Sequence, residues 1–257
     1  MRGNWSLLLV FLLLSSCSLF EDPGAELILN VDNEFSLDMR EELLPESRAL
    51  RLSLLAVNEV MCDESELIME SAKNGRFINI QINEISMVGN CDSGKSFPSG
   101  EADFDVRKIL YDLEIKVKDL TSHFGTINVT GKEYSIALED TKGLTLLTNN
   151  LKSVPSNFVW GYFQNSNEQV STQVETFLRA NDLEDRPLSH LTPGFYSYFS
   201  IDDVGMINIS EIPFSGSVSK FGFDNVDLNN LKSKVTGFKS RNPDIKFMMH
   251  FSDGTVL

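Results

Sequence analysis

Apolar and polar residues alternate along the first half of the chain. Leu50, Leu52 and Leu54 bracket Arg51 and Ser53, and Ile78, Ile80 and Ile82 bracket Asn79 and Gln81. Leu113, Ile115 and Val117, with Glu114, Lys116 and Lys118 between and after them, repeat the pattern most cleanly. A period of two over five or six residues puts one set of side chains on a buried face and the other in water, as in a half-buried strand. Residues 127–129 and 134–138 continue the series across Gly131-Lys132. Short strands separated by turn residues predict an antiparallel β-sandwich-like domain. Ahead of them, residues 36–44 are expected to form a short helix stopped by Pro45, whose ring and missing N–H end helices.

The period then changes. Val170, Val174, Phe177 and Leu178 recur at helical spacing within 168–180, and 181–187 is a polar, acidic break. Beyond it, 196–201 and 206–212 read as strands around Asp202-Asp203-Val204-Gly205. Leu228, Leu231, Val235 and Phe238 lie on one helical face, with Asn225 or Asp227 as N-cap. Asn242-Pro243-Asp244 breaks the chain, and Ile245, Phe247, Met249 and Phe251 alternate as a final strand. The expected fold is therefore mainly β with some α. A β-rich sandwich-like domain covers 26–167, a helix and linker 168–187, and a small α+β (β-β-α-β) domain 188–257.

Composition adds two constraints. At 42% hydrophobic, the 257-residue chain can fill a core. A formal net charge of −15 offers no electrostatic footprint for nucleic acid or anionic lipid headgroups, so neither is an expected partner. Of the three cysteines, Cys62 and Cys91 form an even pair once Cys17 is set aside. In an oxidising compartment such a pair reads as a disulfide; two buried thiols are the alternative.

The first seventeen residues specify the compartment. Arg2 supplies a positive start, 5–14 a short apolar run, and Leu14-Ser15-Ser16-Cys17 ends it with small residues before a Cys. About ten apolar residues fall well short of the about 20 that span a bilayer. The segment resembles the signal peptide and lipobox of bacterial lipoproteins. That resemblance implies removal of 1–16, acylation of Cys17 (palmitate included) and a tether over 17–25. Several acyl chains would hold the protein on membrane lipid. Ser18, where an Asp favours inner-membrane retention, points to the outer membrane of the cell envelope, on its periplasmic or surface face.

Few residues suggest chemistry. Gly89-Asn90-Cys91-Asp92-Ser93-Gly94-Lys95-Ser96 fits the phosphate-loop pattern, but Phe97-Pro98-Ser99-Gly100 follows with no helical period to carry a phosphate-binding N-terminus. No nucleotide is expected there. Asn225, Asp227 and Asn229 mimic the start of a calcium loop, yet Thr236 stands where the bidentate carboxylate belongs. His123, His190 and His250 show no metal-ligand spacing, and His250, Ser252 and Asp253 lie too close on one strand end to converge as a triad. No metal, cofactor or enzymatic activity is expected. The aromatic run over 158–163 would, as a strand, line Phe158, Trp160 and Tyr162 on one face. That face either binds a glycan or peptide or packs into the core.

The tail over 195–257 has a strand pair around Gly205, the helix opening at Asp227, and Asn242-Pro243-Asp244-Ile245-Lys246 entering a strand. In these features it resembles the periplasmic domain of ExbD/TolR-like energy-transducing proteins. That family carries an acidic residue in a transmembrane helix and no lipobox, so its proton-driven role is not expected here. The expected function is a membrane-anchored envelope lipoprotein acting as a non-enzymatic binding module for protein or glycan. The alternative is a periplasmic scaffold or accessory partner of an envelope machine.

Overall fold

The computed structural model describes residues 35–89, 91–92, 94–118, 120–183 and 187–257. Cys17, the lipobox and the tether lie outside the described residues. The expected class holds: the chain is mainly β with some α.

Ten strands make one mixed sheet. They are β1 (Phe35–Leu44), β2 (Ser47–Ala56), β3 (Glu64–Asn74), β4 (Phe77–Val88), β5 (Ser99–Phe104), β6 (Leu110–Val117), β7 (Thr121–Val129), β8 (Glu133–Leu138), β9 (Leu144–Leu146) and β10 (Asn150–Lys152). Their order is β10-β8-β7-β6-β4-β3-β5-β2-β1-β9. The sheet curls until its edges meet, because the consecutive strands β9 and β10 lie at opposite edges. β9 pairs parallel with β1, and β10 pairs antiparallel with β8. Opposite walls thus face each other across one core, as in a sandwich, while the hydrogen bonding runs continuously from β10 to β9. Leu52, Leu54, Ile80, Ile82, Ile115 and Ile127 fill that core, and each is fully buried.

Residues 36–44 are a strand, not the expected helix. Leu37, Met39, Glu41 and Leu43 point inward and the residues between them outward. An acidic residue at an inward position hid this period of two. Pro45 sits in the two-residue connection to β2, and β1 and β2 pair along ten positions from Leu44↔Ser47 to Phe35↔Ala56.

The remaining chain adds β11 (Val159–Gln164), α1 (Glu168–Arg179), β12 (Gly194–Phe195), β13 (Ser200–Ile201), β14 (Ile207–Asn208), β15 (Val218–Phe223), α2 (Leu228–Arg241) and β16 (Phe247–Phe251). β11 is the central strand of a three-stranded antiparallel sheet, between β15 and β16. Residues 159–164, grouped by sequence with the 26–167 region, therefore pair with the tail. Strand pairing is non-local, and the alternation of β11 does not say which strands flank it. The described residues fall in one compact unit.

Both helices start where side chains cap them. Asn167 accepts from Val170 N–H, and Asp227 rather than Asn225 accepts from Asn230 N–H. α1 and α2 cover one face of the small sheet, burying Val174, Leu178, Val235 and Phe238 against Phe163, Phe221 and Phe247. The other face packs under Leu188, Tyr196, Phe199 and Ile209, and Leu43 of β1 joins it. The strands expected over 196–201 and 206–212 shrink to two-residue pieces in this cover. Among the described residues no helix is long and apolar enough to cross a membrane.

Candidate functional site

Phe158, Trp160 and Tyr162 do share one side of the sheet, but they cannot meet a ligand. Their exposures are 0%, 2% and 4%. The Trp160 ring lies 5.5 Å from Tyr198 and 5.2 Å from Phe199, and stacks on His250 at 5.4 Å. β11 has a strand at each edge, and its sheet is covered on one face by α1 and α2 and on the other by Leu188, Tyr196, Phe199 and Ile209, which is why the run is apolar without interruption. The reading of these residues as a ligand-binding face is corrected: they are core.

The other singled-out residues are separated. His123 lies inside the curled sheet, with its Nδ1 unpartnered among the described residues. His190 Nε2 lies 2.9 Å from Asp224 Oδ2, and burial lowers the pKa of His250 against Trp160. Ser252 Oγ accepts from Phe158 N–H at 3.2 Å, while Asp253 pairs with Lys232, so these two do not converge with His250. Asn225 and Asp227 line a cleft of about 230 Å³ with Asn181, Asp182, Asp224 and Lys234. The Asp227 carboxylate caps α2 there. Among the described residues no group of three or more His, Cys, Asp or Glu is placed to hold a metal ion.

The segment matching the phosphate-loop pattern is a stapled connection between β4 and β5. Cys91 is bonded to Cys62, Lys95 pairs with Glu59 at 3.1 Å, and Ser96 exchanges backbone hydrogen bonds with Val60. The Ser96 hydroxyl lies 2.7 Å from that of Ser65. A strand follows at Ser99, not a helix.

Sequence reasoning missed the most elaborate polar cluster, which is structural. Glu41 is fully buried on β1. Tyr134 of β8 donates to its Oε1 at 2.8 Å, Ser153 Oγ donates at 2.9 Å and Arg48 Nη1 at 3.1 Å. Val154 N–H donates to Oε2 at 2.6 Å, and Arg48 also reaches the Val154 carbonyl. Burial, then the neighbouring Glu41 charge, pushes the Tyr134 phenol up, which keeps it a donor. This knot ties β1 to β8 and to the residues just after β10, where the sheet edges meet. Its sequence signal is the lone acidic residue at an inward position of an alternating run.

What reaches solvent at the two ends of the curled sheet differs in kind. The end where the chain enters β1 carries the connections 57–63 and 89–98, joined by the disulfide and the Val60–Ser96 bridge. Val57, Met61, Met87, Val88 and Phe97 are all 40–57% exposed there. At the opposite end, the β3–β4 hairpin and the connections 105–109 and 130–132 carry Lys73, Arg76, Arg107, Lys108 and Lys132. Between the ends, the outer wall holds charge in closed networks: Arg51 meets Asp103 at 2.7 Å, Glu101 at 3.0 Å and Glu42 at 3.3 Å.

No protein family, curated protein or solved structure matches this chain.

Proposed function

We propose that the protein is a lipid-anchored envelope module, without enzymatic activity, that binds a protein partner through the apolar rim beside the Cys62–Cys91 disulfide. The observation that carries this reading is the rim itself. Val57, Met61 and Phe97 stay exposed on connections that a disulfide and a backbone bridge hold in place, and Met87 and Val88 stay exposed beside them at the end of β4. Exposed apolar clusters on well-ordered loops are a common form of protein interface, since ordering costs little on binding. The rim lies at the end where the chain enters β1, so acylation at Cys17 would hold the bound partner near the membrane. A glycan ligand loses its support, because the aromatic residues that would stack a sugar are buried. The outer membrane is the proposed location, on the strength of Ser18 after the lipobox Cys.

A photo-crosslinking residue placed at Phe97 or Met61 in living cells tests the rim. Both positions should yield one defined protein adduct, while exposed Glu70 on the outer wall yields none. Adducts at all three positions, or at none, overturn the rim reading. Anchoring is tested separately: Cys17→Ser should prevent acylation, read as loss of the acyl mass on the N-terminal peptide.

A further inference from the structure

The net charge hides a local reversal. Lys73, Arg76, Arg107, Lys108 and Lys132 gather at one end of the curled sheet because the connection from β5 to β6 must cross the β3–β4 hairpin. Lys73 Nζ donates to the Asp105 carbonyl, Arg76 O accepts from Asp112 N–H at 2.8 Å, and Arg107 N–H donates to Tyr111 OH at 2.6 Å. Lys108 lies over the next connection, where a Cβ on Gly131 would sit 3.0 Å from its Nζ. Arg76, Arg107, Lys108 and Lys132 are exposed, and none has a carboxylate ion-pair partner among the described residues. The carboxylates at this end are Asp105, Asp112 and exposed Glu46 of the β1–β2 turn, plus Glu133, which Lys152 holds at 2.6 Å. Phe77 and Leu110 are exposed among the cations, at 39% and 50%.

We infer that this end docks on an anionic lipid bilayer. Cations mixed with exposed apolar side chains suit an interface where headgroups are charged and the layer beneath is apolar. The geometry favours a planar surface over an extended polyanion. A ten-residue strand is roughly 33 Å long, several times the Debye length of about 8 Å, so the carboxylates at the far end of the curled sheet are screened from a bilayer that touches this one. An extended polyanion would run on along the acidic wall. Reach is not limiting. Residues 18–34, at about 3.5 Å each, can extend about 60 Å from Cys17 to β1, so this end can meet the bilayer that holds the anchor. That last step rests on the anchored reading; the test below does not.

The full chain is reconstituted into vesicles of phosphatidylcholine alone or mixed with phosphatidylglycerol, and amide hydrogen exchange is followed in both. Residues 74–77 and 106–110 should exchange more slowly on the anionic vesicles only, with protection lost in high salt. Each cation near an anionic surface is worth about fivefold in binding, so Arg76→Glu with Arg107→Glu should lower the protection by about 20-fold or more. Equal exchange in both vesicles overturns the inference. Protection by inorganic polyphosphate but not by anionic vesicles also overturns it, assigning the end to a soluble phosphate polymer. A rim partner found at Phe97 leaves both results readable, since the rim is at the other end.

Discussion

The curled sheet and the small three-stranded sheet close their cores by opposite means. The large sheet joins its edges through a buried carboxylate, Glu41, which is satisfied by Tyr134, Ser153, Val154 and Arg48. The small sheet is sealed by aromatic faces: Trp160 against Tyr198, Phe199 and His250 on one side, and Phe177 against Phe238 on the other. A polar knot is directional. It specifies which strands meet, and it fails as a unit when one partner goes. Aromatic packing is tolerant of shape as long as volume is kept. The same chain therefore has one rigidly specified closure and one adaptable closure.

The largest effect should come from the knot. Glu41→Ala leaves the half-buried Arg48 and three donors without their acceptor, and should cost roughly 3–5 kcal/mol in chemical denaturation. Opening the disulfide with Cys62→Ser and Cys91→Ser together should cost roughly 3–4 kcal/mol, given the 29-residue separation. If the rim connections pack independently of the disulfide, the loss will fall well below that. Trp160→Phe, which keeps most of the apolar volume, should cost about 1 kcal/mol. A loss as large as that of Glu41→Ala would show that the aromatic closure is no more tolerant than the polar one. Asp227→Ala removes the cap of α2 and should cost about 1 kcal/mol.

Burial against Trp160 lowers the His250 pKa below the ordinary imidazole value. The folded protein thus holds this proton more weakly than the unfolded chain does. The associated stability is complete above the unfolded imidazole pKa and is lost as pH falls through the depressed folded value. Thermal unfolding followed from neutral to mildly acidic pH should show this loss. It should shrink in His250→Phe, which keeps the ring stack; an unchanged slope would assign the acid sensitivity elsewhere.

Much of the fold was legible. The alternation at 50–54, 78–83 and 113–118 became β2, β4 and β6, and the spacing of Val174, Leu178, Leu231, Val235 and Phe238 became the buried stripes of α1 and α2. The pairing of Cys62 with Cys91 was also legible from an even pair. Two readings failed for identifiable reasons. At 36–44, Glu41 broke the apolar count, and nothing local shows that a carboxylate is inward and satisfied by residues about a hundred positions away. At 158–163, alternation correctly set Phe158, Trp160 and Tyr162 on one side, but exposure depends on what covers that side. Net charge is a sum over the chain and does not show that Lys73, Arg76, Arg107, Lys108 and Lys132 share one end.

By itself the sequence determined several of the strands, both helices and which of their side chains share a face, because these depend on dihedral periods and on contacts within a few residues. Tertiary structure alone decided the rest. It set the parallel partners of β1, β3 and β4, the central place of β11, the meeting of β1 with β8 and β10, and the separation of an apolar end from a basic one. These features join residues far apart in the chain, such as Glu41 with Tyr134 and Phe158 with Ser252. The free energy of such contacts comes from burial and hydrogen bonding that exist only once the strands have met.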